Sequence, residues 1–275
     1  TFPYSALSKT YNTDQQTSDS AGTMSAMITG VKTRAGVLSV NQYSVRGDAS
    51  SVSGNEVMTL LEKAEIAGKA TGIVTTARVT HATPAACYSH TSERNWECDA
   101  NLPHGSPVAD IAAQLIEMPA RMQAAGYPQV DGPELVWGGG RRSFFPEGDI
   151  PSAYTAEGDS GRRRDGRNLV EEWIGTRDNG VYIHNLTTFN ALEADSDAMV
   201  LGLFESAHMQ FEADRKKDRG GEPSLAEMTR KAIDMLDRDE RGFFLMVESG
   251  RIDHAHHAGN AYRALVDTVA LSDAV

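Results

Sequence analysis

The alternation of apolar and polar stretches along the chain predicts short strands separated by helices. Three runs rich in β-branched or aromatic residues have the length and composition of buried strands: 72–76, 134–137 and 242–247. Apolar residues recur at helical spacing in four further stretches: 55–67, 108–125, 225–236 and 262–275. Strands that alternate with helices form a mainly parallel sheet with helices on both faces. The pattern therefore predicts an α/β fold of that architecture.

The stretch 145–167 interrupts this pattern and predicts a long surface loop. It is rich in Gly, Pro, Asp, Ser and Arg, which favour turns and irregular backbone. The consecutive Arg162, Arg163 and Arg164 within it suggest a phosphate-binding patch. A run of charges is more often a solvated loop face, and we interpret the three arginines in that way.

The sequence predicts one domain over residues 1–275 that is incomplete at both ends. Tyr4–Leu7 has the pattern of the middle of a fold, with no strand before it, and the helix predicted over 262–275 continues to the last residue without a cap. No stretch approaches the roughly 18 apolar residues that a membrane span needs. The opening residues Thr1–Tyr4 do not have the basic start and apolar block of a signal peptide.

The formal net charge of −12 at pH 7 argues against nucleic acid as a partner. The same charge should repel anionic ligands at long range, unless bound cations reverse the field locally.

The two cysteines of the chain, Cys87 and Cys98, are spaced so that a disulfide between them would close a short loop. The segment between them is polar, which suggests a surface position. We therefore predict the disulfide. The alternative is a pair of reduced thiols in the core.

The strongest chemical signal lies where the predicted strand 242–247 ends. Glu248 follows at its carboxyl end, the place where open α/β sheets have their ligand sites. After a glycine-containing turn, Asp253 and three histidines stand within five positions, and the spacing of Asp253 and His257 puts both on one face of a helix. Zinc binds imidazole and carboxylate, whereas magnesium prefers carboxylate, hydroxyl and water. The pattern predicts a metal site; the alternative is a solvated histidine-rich turn.

A second candidate site surrounds Ser20, at the start of a predicted helix that ends near Gly30. The positive field of a helix N-terminus favours an alkoxide or a bound phosphate there. The simpler interpretation is that Ser18 or Asp19 is only the N-cap of this helix.

A third candidate follows the predicted strand 72–76. Pro84 suits the first turn of a helix, which would make Thr83 its cap. The Thr83 hydroxyl and His81 could instead belong to a magnesium shell. Further along, Arg94 has a planar fork that suits bidentate binding of a phosphoryl group, although a surface ion pair is the ordinary role of such a residue.

Taken in their order along the chain, these segments resemble the alkaline phosphatases. The match covers almost the whole chain and rests on five segments: 17–21, 81–84, 92–96, 138–141 and 247–257. The resemblance implies an alkaline-phosphatase-like α/β fold and the hydrolysis of small phosphate monoesters through a phosphoserine intermediate. It further implies two zinc ions and one magnesium ion as cofactors, a homodimer, and a periplasmic or secreted location.

The resemblance also assigns roles to individual residues. Ser20 resembles the nucleophile, and Arg94 resembles the arginine that binds the non-bridging phosphate oxygens. Asp19 resembles a residue that orients Arg94. Thr83 and Glu248 resemble magnesium ligands.

On the histidine-rich segment, Asp253 and His257 resemble two ligands of one zinc ion. His81 and His254 lie behind the ligands. Other members carry Asp and Lys at these positions, and the histidine pair resembles that of the animal-type variants. The family's remaining ligands are not found: no Gly-Asp-Gly-type turn precedes the serine segment, and no histidine follows His257.

We therefore expect a companion segment to complete the metal site. The alternatives are a truncated chain, a non-catalytic fragment that binds metal or phosphate, or a related phosphodiesterase or sulfatase. Arg94 and the Thr83–Glu248 pair favour the monoesterase over the last of these.

Overall fold

A computed structural model describes residues 6–275, so that Thr1–Tyr4 and part of the pattern noted at Tyr4–Leu7 lie outside the described residues. The central sheet has five strands: β1 (Ala70–Arg78), β2 (Leu135–Gly139), β5 (Gly180–Ile183), β6 (Met199–Leu203) and β7 (Phe243–Glu248). They lie in the order β5-β6-β2-β1-β7, and every adjacent pair is parallel. A separate antiparallel pair, β3 (Gly148–Asp149) and β4 (Ser160–Gly161), lies within the stretch 145–167.

Nine α-helices occur in the described part of the chain: α1 (Ser20–Thr29), α2 (Leu60–Ile66), α3 (Ala82–Ala85), α4 (Ile111–Ala124), α5 (Leu169–Thr176), α6 (Leu186–Ala191), α7 (Leu225–Leu236), α8 (Arg251–His257) and α9 (Ala261–Ala274). Within those residues, none of them combines the length and the apolar character needed to cross a bilayer.

Side chains alternate between the two faces of the sheet, and each face has its own core. Ile73 and Val136, paired in register on β1 and β2, point to a core that includes α1, α3, α4 and α5. Their neighbours Val74 and Trp137 point to the opposite core, with α6 and α7. Each fully buried side chain of this size contributes about 1.5–3 kcal/mol relative to exposure. The predicted parallel sheet with helices on both faces is confirmed.

Local capping decides where two of the predicted helices begin. Helix α7 has the predicted bounds, because Ser224 and Glu227 form a capping box. The helix predicted over 55–67 begins only at Leu60, because Thr59 accepts a hydrogen bond from the Glu62 amide at 3.1 Å and Glu62 accepts one from the Thr59 amide at 2.8 Å. Strands β5 and β6 were not predicted, although 199–203 is a fully buried apolar run.

The predicted disulfide is not present: Cys87 and Cys98 are both buried and unpaired. The polar character of the intervening segment was misleading, because much of that segment is interior rather than surface. Ser89 and Ser92, for example, are completely buried. The Cys87 sulfur contacts the Thr83 carbonyl oxygen at 3.9 Å, as a small core side chain does.

The interpretation of 162–164 as a solvated loop face is wrong for Arg163, which is only 1% exposed. Its guanidinium binds both carboxylate oxygens of Asp110 at 3.0 Å and also contacts Asp165. Asp110 at the same time caps α4 by accepting from the Ala113 amide. The loop is thus anchored to the core by one arginine, while Arg162 and Arg164 on either side are exposed.

Two carboxyl groups, of the buried Glu65 and the half-buried Glu134, lie at the amino-end edge of the sheet. Burial raises the pKa of Glu65 to about 7. Burial, with the Glu65 charge second, raises that of Glu134 to about 8. Both accept hydrogen bonds from Thr71, whose hydroxyl donates to Glu65 at 2.6 Å and whose amide donates to Glu134 at 2.5 Å.

We expect these two groups to make the fold less stable as the pH rises. A carboxyl group whose folded pKa is raised binds more protons in the folded than in the unfolded state, so the unfolding free energy falls between the unfolded pKa near 4.5 and about 8. Glu65→Gln with Glu134→Gln should flatten this fall in urea unfolding at pH 5, 7 and 9. Glu240→Gln, at an exposed position, is the control. If the unfolding free energy of the double variant falls with pH as steeply as that of the parent, Glu65 and Glu134 are not responsible for the fall.

Candidate metal and phosphate site

Ser20 is the first residue of α1, and Asp19 is the N-cap of that helix, one of the two predicted caps. The Asp19 carboxylate accepts hydrogen bonds at 3.0 Å from the amides of Gly22 and Gly36. The Ser20 hydroxyl has no hydrogen-bond partner among the described residues and is partly accessible. A free hydroxyl therefore stands in the positive field of a ten-residue helix.

Arg94 is held beside this helix start by two contacts. Its Nη1 donates to Asp19 Oδ2 at 3.0 Å, and its Nη2 lies 3.2 Å from His81 Nε2. Burial works to raise the pKa of Asp19, but hydrogen bonds from two amides and from Arg94 outweigh it and hold that pKa below its usual range. The Asp19 carboxylate is therefore ionised. It holds the Arg94 guanidinium at the residue that directly precedes Ser20 in the chain.

Glu248 is the last residue of β7 and accepts a hydrogen bond from the Thr75 hydroxyl at 2.5 Å. Burial raises its pKa, and the hydroxyls of Thr75 and Thr83 oppose that rise. The turn after the strand needs Gly250, because a Cβ there would lie 2.9 Å from the Ala77 side chain and 3.2 Å from Glu248 Oε2. A carboxylate and two hydroxyls thus meet at the carboxyl ends of β1 and β7, which is a donor set that fits magnesium.

Thr83 is not the cap that the sequence predicted. The short helix α3 begins at Ala82, and its N-cap is His81, whose backbone is extended. Thr83 therefore lies inside the first turn. From there its hydroxyl faces Glu248 and lowers the pKa of that carboxyl group.

Asp253 and His257 lie on one face of α8, as predicted from their spacing. His257 Nε2 is 3.5 Å from Asp253 Oδ2, and the two side chains are 80% and 71% exposed. An imidazole nitrogen and a carboxylate oxygen fit zinc, which takes about four such ligands. Asp253 and His257 supply two of these four ligands, and both side chains face solvent. His256, on the same helix, is exposed.

His81 and His254 form a tight cluster with His208, a residue that was not predicted from the sequence. The ring centroids of His208 and His254 are 4.1 Å apart, and His81 lies 5.2 Å from His208 and 5.4 Å from His254. Burial, followed by nearby arginines, lowers the pKa of His81 to about 3 and that of His254 to about 4. The pKa of His208 is lowered for the same reasons. The three rings are thus neutral at physiological pH.

The signal for His208 was present in the sequence. It follows the buried run of β6, and residues after the carboxyl end of a parallel strand belong to the ligand-binding edge of the sheet. Because strand β6 was not predicted, the position of His208 after its carboxyl end was not recognised.

The fold brings the predicted residues to one edge of the sheet in two connected groups. The first contains Ser20, Asp19, Arg94 and His81, and the contact between Arg94 and His81 links it to the histidine cluster. The second contains Thr83, Glu248, Asp253 and His257. His81 of the first group and Thr83 of the second are two residues apart at the start of α3, which brings the two groups together.

Comparison with known proteins identifies the family of the chain. A family model described as Alkaline phosphatase matches residues 1–275. The alkaline phosphatase of Gadus morhua is 41% identical over 280 residues, which include 100% of this chain and 56% of that protein. The tissue-nonspecific alkaline phosphatase of Gallus gallus is 42% identical over 281 residues, with 100% and 52% covered.

The fold comparison points in the same direction. The crystal structure of Thermus thermophilus alkaline phosphatase, 31% identical, matches 95% of this chain and 44% of that chain with a TM-score of 0.71. The chain spans about half the length of the curated relatives it matches. With the whole chain matched by the family model and by these relatives, the protein belongs to the alkaline phosphatase family.

Proposed function

We propose that this chain forms part of a metal-dependent phosphatase that hydrolyses phosphate monoesters. The observation that carries the proposal is the contact of Arg94 with Asp19, which holds a guanidinium beside the free hydroxyl of Ser20 at a helix N-terminus. A planar donor fork and helix amides together suit a phosphoryl group with negative charge on its non-bridging oxygens. Membership of the alkaline phosphatase family supports the same activity.

The chemistry assigned to Ser20 is nucleophilic. Its oxygen forms a bond to phosphorus as the bond to the leaving alkoxide breaks, and the serine proton is lost to solvent. Water then attacks the phosphoserine, which restores Ser20 and releases phosphate. Arg94 binds the non-bridging oxygens throughout, because phosphoryl transfer depends chiefly on positioning and charge neutralisation.

Thr83 and Glu248 would hold a magnesium ion, and Asp253 and His257 would hold one of two zinc ions. When bound, such ions supply Lewis-acid stabilisation of charge on the attacking and leaving oxygens. The donor types fit these metals, as described above. His81 and His254 lie behind the donors and present neutral rings toward Arg94 and Arg251.

A companion segment, in the same polypeptide or in another chain, is part of the proposal. Asp253 and His257 are too exposed and too few to complete a zinc site. Strand β7 is an edge strand among the described residues, so a further strand can add beside it. The relatives are about twice as long as this chain, which supports such a segment. A homodimer in a periplasmic or secreted setting is proposed from family membership alone.

We expect the 275-residue chain alone to bind zinc weakly and to turn over aryl phosphate poorly. Asp253→Ala or His257→Ala should weaken this binding, because each removes half of the donor pair. Competition with a chromophoric chelator measures it. His256→Ala, one residue from His257 and exposed, is the matched control and should change nothing.

The same assay tests the wider proposal. Addition of the companion segment with zinc and magnesium should produce hydrolysis of an aryl phosphate monoester but little of the corresponding diester. Efficient turnover by the isolated chain would show that the ligand set has been misjudged. Phosphate binding without any turnover in the completed protein would favour the non-catalytic alternative.

A further inference from the structure

Arg251, the first residue of α8, directs its guanidinium group at a single side chain. Its Nη1 lies 3.0 Å from Nδ1 of His254, about one helical turn further along. In the part of the chain that the structure describes, this is the only side-chain hydrogen bond of Arg251, and no carboxylate forms an ion pair with it. Its Nε is buried and has no partner among the same residues. A guanidinium group has several donors to satisfy, so a side chain that gives up the others for one histidine needs an explanation.

The chemistry of the two groups fixes where the proton of the histidine lies. A guanidinium group donates hydrogen bonds and cannot accept them, so the nitrogen that it approaches must have a free lone pair. Nδ1 of His254 is therefore unprotonated, and the ring proton lies on Nε2. In general, the partner of one ring nitrogen decides which nitrogen carries the proton. The contact with Arg251 thus selects one of the two tautomers of His254.

Packing holds the Arg251 guanidinium in the position from which it donates. Its Cζ lies 3.8 Å from the centroid of the Phe211 ring, which is a cation–π contact. Phe211 is buried in one cluster with Ala255 of α8, so the same ring also fixes the helix that carries His254. The Arg251 amide donates to the Thr76 hydroxyl at 3.3 Å, which ties the start of α8 to strand β1. Donor and acceptor are therefore both held in place by the fold.

The His254 ring is also confined by the two other histidines of its cluster. Its centroid lies 4.1 Å from that of His208 and 5.4 Å from that of His81. One nitrogen of each of the three rings lies within 4.8 Å of the others, a spacing that could hold a metal ion. However, an arginine side chain contacts each of the three rings, and the positive charges of these arginines oppose a cation there. The arrangement therefore favours hydrogen bonding by the rings over metal binding.

We propose that Arg251 is a positioning residue, which holds His254 in the tautomer that is protonated on Nε2. The ring then presents one fixed N–H donor on the edge away from Arg251, whereas a free imidazole would exchange its donor and acceptor nitrogens. A preorganised donor stabilises negative charge that develops in a reaction, because it needs no reorientation when the charge appears. Only this consequence for turnover rests on the proposed function. The tautomer is a property of the folded chain itself.

Long-range proton–nitrogen correlation spectra of the 275-residue chain, with nitrogen-15 in its histidines, test the proposal without turnover. The spectra are recorded at alkaline pH, where free imidazole is neutral. The His254 signals, assigned with His254→Gln, should show a protonated Nε2 and an unprotonated Nδ1. Arg251→Met keeps a long side chain over Phe211 but removes the donor, so His254 should then exchange between tautomers like the exposed His256. Arg251→Lys supplies a donor again and should restore the proton on Nε2.

Arg263→Met is the matched control, because Arg263 also lies over Phe211, at 4.6 Å from the ring centroid, but pairs with a carboxylate. This variant should leave the His254 tautomer unchanged. A parent chain in which His254 is protonated on Nδ1, or exchanges freely between the two nitrogens, would overturn the proposal. An unchanged tautomer in Arg251→Met would overturn it as well, and so would a spectrum of Arg251→Lys that matches that of Arg251→Met.

In the completed enzyme with its metals bound, Arg251→Met should lower kcat for an aryl phosphate by about tenfold or more and change KM by less than about twofold. Arg251→Lys should recover most of the lost kcat, which a purely structural role of the stacked guanidinium group would not allow. Full kcat in Arg251→Met would refute the positioning role in turnover. If the parent enzyme hydrolyses no aryl phosphate, the proposed function fails, while the spectra still decide whether Arg251 sets the tautomer of His254.

Discussion

Ser20→Ala is expected to lower aryl phosphate hydrolysis by the completed protein about a thousandfold or more, since it removes the proposed nucleophile. The fold should be unaffected, because the Ser20 hydroxyl has no hydrogen-bond partner in the described structure and Asp19 supplies the helix cap. Steady-state kinetics with a chromogenic monoester, alongside zinc content, measures both points. Zinc should remain bound.

Ser18→Ala is the matched control, because Ser18 precedes the cap and is partly exposed like Ser20. Its activity should stay within about twofold of the parent. Full activity in Ser20→Ala would eliminate this residue as the nucleophile. Equal losses in the two variants would indicate a structural effect on the start of α1 rather than a chemical one.

Arg163→Met is expected to lower the unfolding free energy by about 3–5 kcal/mol, the cost of leaving a buried charge without its partner. Asp110, only 2% exposed, would lose both of its contacts to the guanidinium while still capping α4. Urea unfolding of the chain followed by circular dichroism measures the change. Arg164→Met, at the adjacent exposed position, should shift the value by no more than about 0.5 kcal/mol.

A second variant separates the loss of a contact from the burial of an unpaired charge. Asp110→Asn combined with Arg163→Met removes both charges and keeps an oxygen to cap α4. It should therefore be more stable than Arg163→Met alone. If the double variant is less stable, or if Arg163→Met unfolds no more easily than Arg164→Met, the pair does not anchor the loop as described.

Features that depend on neighbours along the chain were predictable. The start of α7 follows from Ser224 and Glu227, three residues apart, and the common face of Asp253 and His257 follows from helical spacing. The position of Glu248 at the end of β7 follows from the apolar run before it. The family resemblance added roles for Ser20 and Arg94, which stay predictions, and the structure shows Arg94 in contact with Asp19.

Features that depend on distant partners were not predictable in the same way. The residues around Arg163 in the sequence are those of a charged, glycine-rich loop. Arg163 is nevertheless buried, because its guanidinium binds Asp110, which is distant in the sequence. Cys87 and Cys98 are separated by polar residues of which several, such as Ser89 and Ser92, are completely buried. His208 joined the histidine cluster only because the unpredicted strand β6 pairs with β2.

By itself, then, the sequence determined the class of the fold, the start of α7 and the common face of Asp253 and His257, because these depend on composition and on spacing within a few residues. The tertiary structure decided which polar side chains are buried and which histidines meet. Those outcomes depend on parallel strand order, which joins residues more than a hundred positions apart, such as Thr75 and Glu248. Local periodicity carries no information on such pairing.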